Sequence, residues 1–203
     1  MSTSETALTP AWQTMRFRLL GILPLLFFLA RVIEYVFVAK TPEHILWSCH
    51  ISNLMMAIGL FCAWPWLIRI AVFWQILGLP PWVLDMIANK DITLISIFTH
   101  LGGFIVAIVA IRQARAKLWS WIPSLVYFVI LQQITRLLTE PTIYTNVNVA
   151  HFAYGQWVSF SSYWKYWVVN TALAAVTLLI IEFVLLQLFP REVKKSVLIK
   201  KEG

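Results

Sequence analysis

Apolar residues run along this chain in blocks of about twenty, separated by short polar or proline-bearing joints. About 20 apolar residues are needed for a helix to cross a bilayer. The blocks predict helical spans over 17–39, 45–64, 66–86, 92–112, 118–138 and 166–189. Pro65 falls in the first turn of the third span, where its missing N–H costs nothing, so the second and third spans form a tight hairpin. Pro24, Pro123 and the Pro80–Pro81 pair are expected to bend or end their helices. Residues 1–14 and 191–203 read as polar tails, and no internal repeat or low-complexity linker interrupts the pattern.

Composition agrees. The 203 residues are 60% hydrophobic and 12% charged, with a mean hydropathy of +0.77; soluble domains carry about 25% charged residues. The fold class expected is an all-α, polytopic transmembrane bundle of about six helices, one domain over 1–203. The net charge of +7 does not point to nucleic acid, because it gathers at span ends, where basic residues set topology. One set of ends holds Arg16, Arg18, Arg69, Arg112, Arg115, Lys117 and the basic tail Arg191–Lys201; the other holds Lys40, Lys90, Arg136 and Lys165. Both termini are therefore expected in the cytoplasm, in an inner or plasma membrane. Arg16 and Arg18 before an apolar run resemble a signal peptide, but the run is too long and carries Arg31 and Glu34, so it reads as a retained first span.

With that orientation the polar residues inside the spans can be placed by depth. Arg31, Glu34 and Tyr35 fall in the outer half of span one; Cys49, His50, Ser52 and Asn53 in the outer half of span two. Gln75 lies near the middle of span three, and His100 about 12 Å below the outer end of span four at 1.5 Å per residue. Gln132, Gln133 and Arg136 finish span five, and Asn170 opens span six. Intramembrane polar groups are costly and normally face a bundle interior or wet cavity, so clustering at one depth is the pattern of a site. Glu182 is the exception, near the cytoplasmic end of span six, where snorkelling or pairing with Arg69 is the ordinary reading.

Helical spacing sorts the cluster. Cys49, Ser52, Asn53 and Met56 share a face, while His50 is turned about 100° from Cys49. Ser96, His100, Gly103 and Ala107 share a face of span four with small residues around the histidine, so His100 is the better partner for Cys49. A thiolate is a nucleophile and a neutral buried thiol is inert; an imidazole can take the proton and return it to a leaving group. Asn53, Gln75, His50, Gln132 and Gln133 are candidate oxyanion or polar support. Arg31 and Arg136 are candidate lipid-headgroup anchors. Each has a plainer reading as well. A lone membrane cysteine is usually packing, and Arg31 and Glu34 at i, i+3 can neutralise each other. Cys49 and Cys62, thirteen positions apart on one helix, lie about 20 Å apart and cannot pair. His44, His50, His100 and His151 lack the tight spacings of common metal or haem sites, so no metal or cofactor is assigned. The aromatic loop 139–165 reads as a cap at the outer headgroup level, plainly read as an interface belt.

The order of motifs adds a resemblance. LWSC (46–49) opens a helix at its outer end; SIFTH (96–100) brings an isolated histidine two spans later; TNVNVAHFAY (145–154) and SSYWKYW (161–167) lead into the last span. Over about residues 20–190 this resembles the bacterial YwaF-like integral membrane family and its eukaryotic relatives, the transmembrane Cys-dependent phospholipid acyltransferases and the androgen-induced-gene-type lipid hydrolases. The resemblance implies a six-helix bundle acting on fatty-acyl esters, with Cys49 as nucleophile and His100 as base. It departs from the bacterial pattern after the cysteine, where His50 stands in place of an acidic or amide residue. The expected function is acyl transfer or acyl-ester hydrolysis on membrane lipids. The alternative is a non-enzymatic protein, a small transporter or a ligand-binding or assembly factor, with a polar outer cavity.

Overall fold

The structure is a computed structural model that describes residues 14–89, 93–142, 146–151 and 162–189. The described residues form helices and turns without a strand. Six helical elements make up the bundle: α1 (Met15–Val38), α2 (Ser48–Phe61), α3 (Pro65–Asn89), α4 (Leu94–Ala114), α5 (Trp121–Leu138) and α6 (Tyr163–Leu188). All but α2 are long and apolar enough to cross a membrane. The protein is an all-α polytopic membrane bundle, as its hydropathy pattern requires. Large apolar side chains such as Leu26, Ile105, Ile130, Ile180 and Phe183 stay exposed on its outside, the surface that lipid covers.

The central element is α3, packed against α2, α4, α5 and α6. It buries Ile68, Ala71, Val72, Phe73 and Trp74, which meet Met56 and Leu60 from α2 and Val106, Ala107 and Ile111 from α4. Small residues let the neighbours close in, as membrane helix packing requires. A Cβ on Gly21 would stand 3.0 Å from the Ala57 carbonyl oxygen and 3.2 Å from Leu60 Cβ, so α1 and α2 touch there by backbone. The hairpin between α2 and α3 is as tight as Pro65 implies. Ala63 takes a left-handed φ of 50°, and the Trp64 N–H donates to the Gly59 carbonyl at 2.7 Å.

Several elements depart from the sequence expectation. The 14 residues of α2 rise only about 21 Å, short of the roughly 30 Å hydrocarbon core. Residues 42–46, expected in part inside this span, instead form a separate 3₁₀ turn opened by Pro42. The Pro80–Pro81 pair does not end α3, which continues to Asn89. Proline's fixed φ is compatible with helix, and beyond the pair Trp82 is held to α4 by its indole N–H, which donates to Ser96 Oγ at 2.7 Å. Pro24 does break α1: the helix is interrupted at Leu20–Gly21, where proline removes the i+4 donor and the Leu20 carbonyl accepts from the Leu23 N–H at 3.2 Å instead. Pro123 sits in the first turn of α5 and ends nothing.

Two π-helical turns were not legible in the pattern, one over Ile33–Val38 in α1 and one over Phe98–Gly102 in α4. At the other end of the bundle, the buried Glu182 carboxylate accepts the N–H groups of Trp119 (3.0 Å) and Trp121 (2.9 Å). The Arg69 guanidinium donates to the carbonyls of Ala114 (2.7 Å) and Arg115 (2.8 Å). These two charges act as caps for α5 and α4, a role the reading of Glu182 as a snorkelling or Arg69-paired residue did not anticipate.

A Cβ built on Gly59 would lie 2.9 Å from Ile68 Cγ1 and 3.0 Å from the Ile68 backbone nitrogen, which cannot swing away. Gly59→Val is therefore expected to destabilise the α2–α3 hairpin by about 1–3 kcal/mol, the usual cost of overpacking. Thermal unfolding in detergent micelles checks this; an unchanged melting temperature would show that the hairpin is not packed as described.

Candidate functional site

Taking the Lys/Arg-poor end of the bundle as outer, four helices meet in its outer half. The first turns of α2 bring Cys49, His50, Ser52 and Asn53, all buried. From α3 come Gln75 and Trp82, from α4 Ser96, Thr99 and His100, and from α1 Arg31, Glu34 and Tyr35. Both π turns border this place, and π turns, which widen the helix by one residue, are frequent at functional sites.

The backbone of Cys49 is the hub. Its carbonyl oxygen accepts from Ser52 Oγ at 2.9 Å, Asn53 Nδ2 at 3.1 Å and Gln75 Nε2 at 3.1 Å. Gln75 Nε2 also donates to Ser52 Oγ at 2.9 Å, and Asn53 Nδ2 reaches the Thr99 carbonyl in the π turn of α4 at 3.3 Å. Only glycine fits at 103: a Cβ there would be 2.7 Å from Gln75 Oε1 and 2.8 Å from Asn53 Oδ1. Asn53 and Gln75, expected as oxyanion donors, have their amide hydrogens on the cysteine's own carbonyl and fix the thiol's position instead.

The thiol faces two imidazoles. Cys49 Sγ, one ring nitrogen of His50 and one of His100 all lie within 4.8 Å of one another. The angular argument turned His50 away from Cys49; the structure brings both histidines to it, because an imidazole is long enough to reach round a 100° step. Each ring is held by Nδ1. That of His50 bonds the His44 carbonyl at 3.0 Å, and that of His100 bonds the Ser96 carbonyl at 3.0 Å. A carbonyl only accepts, so both Nδ1 atoms carry hydrogen and a neutral ring presents a lone pair at Nε2. The Trp82 ring stacks on His100 at 4.9 Å and 9° between planes. Tyr35 packs on His50 at 5.5 Å and edge-on to His44 at 5.3 Å.

Arg31 is buried here and its guanidinium is internally engaged. Nη1 pairs with Glu34 Oε2 at 2.6 Å and approaches Tyr35 Oη at 3.4 Å, while Nε donates to Thr99 Oγ1 at 3.2 Å. The i, i+3 neutralisation read from the sequence is present, and it leaves Arg31 poorly disposed to hold a headgroup. Arg136 is elsewhere, its guanidinium 3.2 Å from the centre of the Tyr163 ring. Gln132 and Gln133 belong to that second group as well. Gln132 Nε2 donates to the Val149 carbonyl at 3.0 Å and Gln133 Nε2 to Tyr163 Oη at 3.1 Å. Neither supports the thiol. Depth along the membrane put these residues level with Cys49, but depth carries no information about which side of the bundle they occupy.

The link between the two groups is Asn148, which sequence reasoning missed. It takes a left-handed φ of 55°, a conformation asparagine tolerates. Its Oδ1 accepts the Ser48 N–H at 2.7 Å, the first turn of α2 having no cap of its own. Its Nδ2 donates to the Leu46 carbonyl at 2.6 Å and to Thr135 Oγ1 at 3.0 Å. The described part of the outer loop, with Asn146, Val147, Asn148 and Ala150 buried, is thus a wedge between helix ends rather than a surface belt. The Tyr166 hydroxyl donates to the Val149 carbonyl and secures it to α6. Nearby, His151 pairs its Nε2 with Thr139 Oγ1 at 2.9 Å. Partial burial, then the Arg136 charge, hold its imidazole below the usual histidine range. The aromatic stretch 152–161 lies outside the described residues.

No family model, curated protein or solved structure matches the chain. The site is thus defined by its geometry: a membrane bundle with a buried thiol and two oriented imidazoles in one half of its depth.

Asn148→Ala removes three side-chain bonds of the wedge, two to the α2 end at Ser48 and Leu46 and one to Thr135 of α5. At about 1 kcal/mol for each net hydrogen bond, a loss of roughly 2–3 kcal/mol of stability is expected. Hydrogen exchange at the Ser48 amide should accelerate at the same time. Unchanged protection at Ser48 would mean that the cap does not form.

Proposed function

We propose that this protein carries out thiol-dependent acyl transfer, or acyl-ester hydrolysis, on membrane lipids in the outer half of a cell membrane. The observation that supports the reading is the gathering of Cys49 Sγ with one nitrogen of each of His50 and His100 within 4.8 Å. Two oriented bases beside one thiol are what a thiol nucleophile needs. The motif order LWSC, SIFTH and TNVN supports the same chemistry through its resemblance to the YwaF-like family.

In this mechanism His100 Nε2 takes the Cys49 proton as sulfur attacks the ester carbonyl. The carbon–oxygen ester bond breaks, the imidazolium returns the proton to the departing alcohol, and a thioester remains on Cys49. A second hydroxyl, from water or an acceptor lipid, gives its proton to His100 as its oxygen attacks the thioester, and the thiol is restored. Trp82 and the Ser96 carbonyl keep the His100 ring in register. Asn53, Gln75 and Ser52 position Cys49 through its carbonyl.

The test is labelling of the full chain in lipid nanodiscs with a thiol-directed fatty-acyl probe, read by intact and peptide mass. An adduct on Cys49 is expected. It should be absent in Cys49→Ala and form about 10²–10⁴ more slowly in His100→Ala, the range a general base supplies. His50→Ala should lose less. An adduct equally strong on the exposed Cys62, or one indifferent to His100, would overturn the proposal.

A further inference from the structure

We propose that Cys49, His50 and His100 also form a three-coordinate site for a soft monovalent cation, copper(I), held by one thiolate and two imidazoles. This goes beyond acyl chemistry and does not depend on it. Three observations carry it. First, the donor atoms of three ligand-type side chains from two helices converge within 4.8 Å. Bond lengths of about 2.3 Å to sulfur and 2.0–2.1 Å to nitrogen place trigonal ligands roughly 3.5–3.8 Å apart, so the three need draw in by only about 1 Å.

Second, both rings are already oriented as metal-bound histidines are. Such rings donate their second N–H to a carbonyl or carboxylate, which fixes the tautomer and aims the other nitrogen. The His44 and Ser96 carbonyls do this, each at 3.0 Å. Third, His50 Nε2 is a buried lone pair on a residue only 2% exposed, with no hydrogen-bond partner among the described residues. Leaving a buried acceptor unpaired costs about 1–3 kcal/mol, and a bound cation removes that cost.

Charge selects the metal. A thiolate with copper(I) is neutral, and Arg31 nearby is already matched by Glu34 at 2.6 Å. The loaded site therefore adds no net charge inside the bundle. Zinc(II) with the same ligands would leave one uncompensated positive charge beside Arg31, and buried unpaired charge is strongly disfavoured. The group formed by the described residues offers three ligands, so zinc would need water as its fourth. Thiolate is among the ligands that favour copper(I), which is stable with three. Loading exchanges the Cys49 S–H proton for the cation and releases that proton, and no electron moves. Trp82 against His100 and Tyr35 against His50 shield the site from water.

The experiment uses the full chain in nanodiscs under anaerobic ascorbate, with the copper(I)–bicinchoninate complex as the competing probe. Wild type and Cys62→Ser are expected to withdraw one copper per chain. Cys49→Ser, His50→Ala and His100→Ala should each bind at least about 100-fold more weakly, since loss of an outer-shell partner alone costs about 10–100-fold. X-ray absorption of the wild-type complex should show one sulfur at about 2.3 Å and two nitrogens near 2.0 Å, a readout that survives if a histidine variant fails to fold. Failure to withdraw copper, a bound copper with no sulfur neighbour, affinity unchanged in Cys49→Ser, or preferential uptake of zinc(II) would each overturn the proposal. None of these readings involves an acyl group. Copper binding without acyl labelling would support this site and count against the acyl chemistry, and labelling without copper would do the reverse.

Discussion

Everything in this bundle follows from what hydrocarbon withholds. A polar atom there has no water to turn to, so each must find a partner within the protein or cost several kcal/mol. The Cys49 carbonyl shows how far this reaches. It accepts from Ser52, Asn53 and Gln75 at once, which ties the opening turns of α2 to the middle of α3. Asn53 continues the tie to the Thr99 carbonyl of α4, and Thr99 passes it through its hydroxyl to Arg31 of α1. Four helices are registered against one another by a polar chain that starts at the residue bearing the thiol. Stability and chemistry are therefore not separable here: the groups that would align a reactive cysteine are the ones that hold the helices at their depth.

Much of this was legible in the sequence, and the reason is geometric. Bilayer thickness sets span length, so hydrophobic blocks gave six helices near their observed places. Helix rise sets depth, so Cys49, Asn53 and His100 are expected in the outer half together, as the structure has them, whereas Gln75, expected near the middle of its span, also reaches the Cys49 carbonyl. The i, i+3 spacing of Arg31 and Glu34 was enough to foresee their ion pair. What failed needed information the one-dimensional pattern does not hold. Depth could not tell that Gln132, Gln133 and Arg136 stand around Tyr163 and the 147–149 wedge rather than beside the thiol. Helix-breaking propensity could not foresee that Trp82, immediately after Pro80–Pro81, is locked to Ser96 and His100 and carries α3 onward. The π turns left no periodic signature, and the second histidine was discounted by an angle that ignored side-chain reach.

The two polar groups also differ in kind. The one around Cys49 gathers a thiol and two imidazole nitrogens within 4.8 Å of one another. The one around Gln132 is built from amides, hydroxyls and carbonyls that close a loop onto helix ends. Separating them across the bundle keeps the thiol and imidazoles away from the contacts that anchor the outer loop, and Asn148 links the two.

That asparagine has a consequence for how the chain is made. The Ser48 amide is capped by a side chain 100 residues further along, so α2 must wait for its cap until the fifth helix has been synthesised and the loop beyond it delivered to the far side. Until then a helix too short to cross the membrane alone sits with its first turn unsatisfied. The loop bearing Asn148 therefore acts as an assembly latch: α2 reaches its final depth, and the thiol its final place, only once that loop has been made and delivered. Cys49 and its two imidazole neighbours are thereby brought together late, after most of the bundle that buries them already exists.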